Sequence, residues 1–295
     1  MIRLQGIFPP LTAPFNADGE LYRAKVIHNV SKLNKLALGG YVVGGSTGES
    51  VMLSHDEKHQ LWDWVAETAG EGKLLIAGTG VESVRETLAL TKTAANAGYH
   101  VAMVRTPHYY RGLLNNTEAQ LTYFRAVADS SPIPIVIYNF PQATVLDITP
   151  EAVIQLSEHP NIIGIKESSG SMEKVMRLVA ECKPGFQVVV GSAPTLYPSL
   201  LMGASGAILA FANAAPYAAI SIWEAWRSRQ HDAAEDLQKR ISRAARLVTV
   251  RYGIPGLKYA MDLNGYYGGP PRLPLLPPTP AARAEIEDAF RELKS

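Results

Sequence analysis

Short apolar runs recur along the chain, each closed by Gly, Pro or polar residues: Gly6–Thr12, Gly40–Gly45, Lys73–Thr79, Tyr99–Arg105, Ile133–Tyr138, Asn161–Lys166, Gln187–Gly191 and Gly206–Phe211. Most are rich in Val and Ile and lack polar alternation, the pattern of strands buried on both faces of a parallel sheet. Between them the spacing turns helical. In Ser54–Gly70 the residues Leu61, Trp64, Val65 and Thr68 recur at steps of three and four, and Ser54 followed by Glu57 predicts a capping box. Ser83 and Glu86 repeat that signature at the head of Ser83–Ala97. Thr117–Ala128 and Thr149–Glu158 also read as helices, the latter with Thr149 as N-cap and Pro150 in the first helical position.

Alternation of strand and helix, eight times over, predicts an α/β fold, the (β/α)₈ TIM barrel. A doubly wound open sheet is the runner-up, but a nucleotide binder of that kind carries a glycine fingerprint after its first strand. Here Pro9, Pro10 and Pro14 follow instead, and proline has no N–H with which to cradle phosphate. Strand signals stop after about Trp226. Asp232–Val250 presents Leu237, Ile241, Ala244, Ala245 and Val248 on one helical face, and Ile254–Leu263 and Ala281–Leu293 also read as helices. Gly265–Pro280 is a Gly/Pro loop between the last two. The expected division is a barrel over residues 1–225 and a C-terminal helical extension, residues 226–295, packed on it.

Composition adds exclusions. With 295 residues, 47% hydrophobic and 19% charged, the chain can bury a sizeable core. The 28 basic and 27 acidic residues leave a net charge of +1 with no basic block, which disfavours nucleic acid as a partner. The one cysteine, Cys182, allows no intrachain disulfide and suits a reducing compartment. No apolar run approaches the ~20 residues of a membrane span, and the N-terminal residues lack the pattern of a signal peptide. A cytoplasmic protein that does not engage membranes is the expectation.

In a barrel of this kind the C-terminal ends of the strands face the active site, which turns strand ends into candidates. The sixth run ends in Lys166, after Ile162, Ile163, Gly164 and Ile165. An ammonium there is partly desolvated, which favours the neutral amine that attacks carbonyls. Position alone, however, favours a lysine that snorkels to solvent. Tyr138 ends the neighbouring run. With parallel strands ~4.8 Å apart it can stand beside Lys166 as a proton shuttle, or simply fill the barrel. Gly45-Ser46-Thr47-Gly48-Glu49 is a turn whose hydroxyls and N–H groups suit a carboxylate, and it reads equally as a plain βα turn. No Gly-Lys-Ser/Thr follows it, so it is not a P-loop. Among the seven histidines only His55 and His59 have helical i, i+4 spacing, without a metalloprotease signature, so no metal site is expected. No Gly-x-Ser-x-Gly elbow supports a serine hydrolase.

With Gly45-Ser46-Thr47-Gly48-Glu49-Ser50, Tyr138-Asn139-Phe140-Pro141 and Gly164-Ile165-Lys166-Glu167 in order, the chain resembles the dihydrodipicolinate synthase/N-acetylneuraminate lyase family of class I pyruvate aldolases. The resemblance runs from Gly6 to the Gly265–Pro274 loop. It implies a Schiff base between Lys166 and the keto carbon of pyruvate or another 2-oxo acid, with Tyr138 as proton shuttle and Thr47 and Tyr109 completing a relay. Tyr109 would come from a neighbouring subunit, implying a homo-oligomer, typically a dimer of dimers. Ser46 and Thr47 would bind the pyruvate carboxylate, and Gly191 and Ile208 would line the pocket. The iminium is the electron sink, so no cofactor is required.

One position departs from the dihydrodipicolinate synthases, which carry an arginine two residues after the proline of the second motif. Here Ala143 stands there in Pro141-Gln142-Ala143-Thr144 and cannot hold a second substrate's carboxylate. The stretches Tyr109–Gly112, Ser157–Ile162, Gly253–Lys258 and Gly265–Pro270 look instead like 4-hydroxy-2-oxoglutarate aldolases. That branch implies cleavage to pyruvate and glyoxylate, with Ser168 near the lysine. Arg111 is a candidate for the distal carboxylate or a surface arginine. The alternatives are 4-hydroxy-tetrahydrodipicolinate synthase, a 2-keto-3-deoxy sugar-acid lyase and, from a different class, a non-catalytic pyruvate-binding homologue.

Overall fold

The structure, a computed structural model, describes residues 2–293. Eight parallel strands form one sheet: β1 Gly6–Phe8, β2 Gly40–Val43, β3 Leu74–Gly78, β4 Val101–Arg105, β5 Ile135–Asn139, β6 Ile162–Glu167, β7 Gln187–Val190 and β8 Gly206–Ile208. Neighbours in sequence are neighbours in space, and β1 pairs with β8. Between β1 and β2 the ladder is thinner, because Pro9 and Pro10 have no N–H to donate. Val42 N–H donates to Pro9 O at 3.1 Å and Leu11 N–H to Val42 O at 2.8 Å, which closes the barrel there. The prolines also explain why β1 is shorter than the expected Gly6–Thr12.

A helix follows each strand. Those at residues 55–68, 84–96, 117–130 and 150–157 lie where the periodicity placed them. Helices at 23–33, 172–181, 196–201 and 216–227 complete the ring. Ser54 and Glu57 form the full capping box, with Ser54 N–H donating to Glu57 Oε2 at 2.8 Å and Glu57 N–H to Ser54 Oγ at 3.2 Å. At the next helix only half of the motif is made: Glu86 N–H donates to Ser83 Oγ. Thr149 caps its helix and Pro150 opens it.

Two apolar layers follow from the alternation of side chains along each strand. Inward positions, among them Phe8, Val42, Ile76, Met103, Val136, Tyr138, Val189 and Ile208, fill the barrel. Outward positions such as Tyr41, Ala77, Ile135, Ile137 and Val190 pack against the helices. Each fully buried Val, Ile, Met or Phe among them contributes roughly 1.5–3 kcal/mol. Gly164 on β6 is required by the close approach of β7, since a Cβ there would stand 2.3 Å from Gln187 O.

The last barrel helix runs to Arg227, across the boundary expected at residue 225. Helices 231–246, 253–263 and 280–292 follow. The first is expected to reach Val250; its α-helical part ends at Arg246 and a π-helical turn carries the chain to Arg251. Ile241, Leu257, Ile286 and Phe290 of these helices belong to the same apolar cluster as the outer face of the sheet. Among the described residues no helix is long and apolar enough to cross a membrane.

Candidate active site

β5 and β6 pair in register with Tyr138 opposite Lys166, so the pleat turns both side chains into the barrel at its C-terminal end. The Lys166 ammonium lies 4.1 Å from the centroid of the Tyr138 ring, and both residues are 5% exposed. The snorkelling alternative does not hold. Burial lowers the Lys166 pKa from 10.5 to about 7, because the apolar surroundings disfavour the charged form. A substantial fraction of the amine is therefore neutral near neutral pH. Burial acts oppositely on Tyr138 and raises its pKa to about 12. The phenol therefore stays protonated and ready to donate. Phe140 stacks on the Tyr138 ring, with centroids 5.8 Å apart, and fixes its plane.

The turn after β2 supplies the facing hydroxyls. Ser46–Gly48 form one 3₁₀ turn, closed by Gly48 N–H to Gly45 O at 3.0 Å and Glu49 N–H to Ser46 O at 3.1 Å. Of the two hydroxyl residues it is Ser46 that approaches the Tyr138 phenol and favours its ionised form, partly offsetting burial. Thr47 is buried in the same turn. The resemblance gave Thr47 the place in the relay, but here Ser46 is the one that meets the tyrosine, since adjacent residues point apart and the turn geometry decides which does so.

Gly191 follows β7 and leaves the space that Lys166 and Ser168 occupy. A Cβ at Gly191 would stand 1.9 Å from Ser168 Oγ and 3.1 Å from Lys166 Cε. Ser168 Oγ is buried and has no hydrogen-bond partner among the described residues, a polar group held ready beside the amine. Ile208 lies in the same interior cluster as Tyr138. The structure thus brings Lys166, Tyr138, Ser46, Thr47, Ser168, Gly191 and Ile208 to one end of the barrel.

Tyr109 and Arg111 are not brought in. Tyr109 is 76% exposed on the loop after β4, edge-on to Tyr110. Arg111 is exposed at the start of the short helix Arg111–Leu114. Ala143 is exposed on the short helix Pro141–Thr144 that follows β5.

Sequence reasoning missed the supporting network. Lys166 points inward, so its neighbour Glu167 points outward into the protein, where its side chain has no exposure. Asn139 Nδ2 donates to Glu167 Oε2 at 2.8 Å and to Asp147 Oδ1 at 2.7 Å, and Lys174 bridges the same two carboxylates. Backbone bonds from Ser168 N–H to Asn139 O at 3.0 Å and from Gly191 N–H to Glu167 O at 2.8 Å tie β5, β6 and β7 together at this level. Asn139 and Glu167 stand in the motifs, but their partners Asp147 and Lys174 carry no local signal. Glu82 is a second such residue: it accepts the N–H groups of both His108 and Tyr109 at 2.9 Å and pairs with Arg105 at 3.1 Å, orienting the Tyr109 loop. Among the described residues no three or more His, Cys, Asp or Glu side chains cluster as a metal ion would need.

The model of the dihydrodipicolinate synthetase family matches residues 3–293. The chain belongs to that family. Among its relatives is a 4-hydroxy-tetrahydrodipicolinate synthase of Methanothrix thermoacetophila, 34% identical over 98% of this chain and 97% of that one. A probable mitochondrial 4-hydroxy-2-oxoglutarate aldolase of Emericella nidulans is 36% identical over 97% and 94%. Among solved structures, a dihydrodipicolinate synthase of Bacillus anthracis superposes with a TM-score of 0.94 at 27% identity, covering 99% of each chain. A prophage protein of the dihydrodipicolinic acid synthase family from E. coli K12, in complex with pyruvate, gives 0.91 at 29%, again over 99% of each. This member of the dihydrodipicolinate synthetase family is a class I aldolase, a lyase on a TIM barrel.

Proposed function

We propose that the protein cleaves 4-hydroxy-2-oxoglutarate, or a closely similar 2-oxo acid, to pyruvate and an aldehyde through a Schiff base on Lys166. The observation that carries this is the buried Lys166 amine against the Tyr138 ring at the C-terminal end of the barrel. The neutral amine attacks the keto carbon of the bound acid, whose carboxylate the Ser46–Thr47 turn receives. Tyr138 donates the proton that lets the carbinolamine lose water. In the resulting iminium the C3–C4 bond breaks and its electron pair passes into the nitrogen-linked enamine. The C4 hydroxyl gives up its proton to the relay, and the aldehyde, glyoxylate, leaves. Protonation of the enamine at C3 and hydrolysis return pyruvate and the free amine. Ser46, whose side chain meets the Tyr138 phenol, passes protons to it, and Thr47 shares in binding the carboxylate. Tyr109, exposed on its own chain, serves the site of a second copy in a homo-oligomer.

One feature favours 4-hydroxy-2-oxoglutarate over condensation with aspartate semialdehyde: Ala143 stands where the synthases carry the arginine that holds aspartate semialdehyde's carboxylate. A relative named as a probable 4-hydroxy-2-oxoglutarate aldolase supports the same choice. The second reading, 4-hydroxy-tetrahydrodipicolinate synthase, is favoured by relatives of that name, the Methanothrix protein among them. Turnover of both substrate sets by the purified protein decides between them. Efficient condensation with aspartate semialdehyde and no glyoxylate from 4-hydroxy-2-oxoglutarate would overturn the proposal, as would borohydride reduction with pyruvate that leaves Lys166 unmodified.

A further inference from the structure

Glu49 closes the Ser46–Gly48 turn in the left-handed conformation, φ 54° and ψ 32°, which a residue with a side chain adopts only at a cost in strain. Its carboxylate is buried, and both of its anchors come from the C-terminal segment. Lys258, on the helix Gly253–Leu263, places Nζ 2.6 Å from Glu49 Oε1, and each side chain is 1% exposed. The approach is an ion pair off the hydrogen-bonding direction. Arg272, in the Gly/Pro loop, donates its backbone N–H to Glu49 Oε2 at 2.8 Å, 223 residues away in sequence.

Both cations are themselves fixed. Lys258 donates to Pro270 O at 2.9 Å and lies 4.4 Å from the Phe15 ring centroid. The Arg272 guanidinium lies 4.3 Å from the same centroid, donates to Met52 O at 2.9 Å and pairs with Glu57 at the head of helix 55–68. Burial alone disfavours the Lys258 ammonium, and the Glu49 charge offsets part of that.

A buried ion pair is on average no more stabilising than apolar residues of the same volume, so energy alone does not account for one here. What the pair does provide is a single geometry. The carboxylate meets the Lys258 ammonium on one oxygen and the Arg272 N–H on the other, and meeting them holds the backbone of the turn in its strained form.

We propose that Lys258 and Arg272 are positioning residues for the active site: through Glu49 they hold the turn that presents Ser46 and Thr47 to the substrate carboxylate and Ser46 to Tyr138. The inference rests on the Schiff-base reading above. It gives the C-terminal helices a part in substrate binding as well as in the core.

The test is a pyruvate titration of the Lys166 adduct, trapped with borohydride and read by intact mass. It uses the full-length wild type, Glu49→Gln and the double variant Glu49→Gln/Lys258→Met, which leaves no unpaired charge behind. Each protein is assayed at a fixed interval below its own melting temperature. Both variants are expected to need about tenfold more pyruvate for half-maximal trapping, as a modest misplacement of binding groups produces, while saturating pyruvate still labels Lys166. Wild-type half-saturation in the folded double variant overturns the inference and leaves the Schiff-base reading standing. Absence of any adduct in the wild type overturns the Schiff-base reading itself.

Discussion

Gly191→Ala isolates the space in which Lys166 works. The backbone at Gly191 is outside the left-handed region, so alanine brings no intrinsic strain, and the whole effect comes from one methyl group. That Cβ would lie 1.9 Å from Ser168 Oγ, 2.9 Å from Ser168 Cβ and 3.1 Å from Lys166 Cε. Ordinary contact begins at 3.4 Å, so turning the hydroxyl away is not enough. The Ser168 Cβ must also retreat, and Ser168 is held by its N–H bond to Asn139 O on β5. The strain therefore falls partly on the Lys166 side chain, whose other side meets the Tyr138 ring. Overpacking of this kind costs roughly 1–3 kcal/mol of stability. A misplacement on the order of 1 Å at the reacting group costs about 10²-fold in rate. The expected outcome is a folded protein with kcat reduced by about two orders of magnitude and a small fall in Tm. Rapid-quench trapping of the Lys166 adduct, beside calorimetry, measures both. A Gly191→Ala protein with wild-type trapping rate would refute the reasoning, because it would show that the amine does not occupy the position assigned to it.

Four further outcomes follow. Because burial lowers the Lys166 pKa to about 7, the adduct-forming rate at low pyruvate should rise with pH and level off just above that value; a rise continuing toward the ordinary 10.5 would show the amine to be solvated. Tyr138→Phe keeps the ring against Lys166 and removes only the hydroxyl, so the rate should fall by about 10²–10⁴-fold, the usual worth of general acid–base catalysis, with Tm little changed; near-normal turnover would remove Tyr138 from the relay. Lys174→Met leaves the Glu167 carboxylate, which has no exposure, without its cation and should cost about 3–5 kcal/mol in denaturant unfolding; wild-type stability would show that the Asn139 and Ser169 donors suffice. Ala143→Arg should improve condensation of pyruvate with aspartate semialdehyde by about tenfold or more, the worth of one charge-assisted hydrogen bond, in a coupled assay; no gain would mean that Ala143 is not what disfavours that substrate.

The architecture was legible in the chain because it is repetitive and local. Eight runs of Val and Ile bounded by Gly and Pro, with caps such as Ser54 and Thr149 between them, determine strand and helix residue by residue. The rule that barrel sites lie at strand ends then picks out Lys166, Tyr138 and the Ser46–Thr47 turn. Helices 172–181 and 196–201 were not read from the sequence: the first carries Met172, Val175, Met176 and Val179 at helical spacing, while the second is only six residues long and contains Pro198. What the chain alone left open at Lys166 was its environment: a strand-end lysine reads the same whether it snorkels outward or is walled in by Tyr138 and Gly191. Only the closed barrel makes that difference, by removing water from around the amine and so lowering its pKa. Tertiary structure also decided which hydroxyl meets the phenol, and that Glu49 is held by Lys258 and Arg272. These contacts join residues up to 223 positions apart in sequence, and no local pattern encodes a partner at that distance. Periodicity is a property of neighbours in sequence, whereas a proton relay and a buried charge pair are properties of neighbours in space.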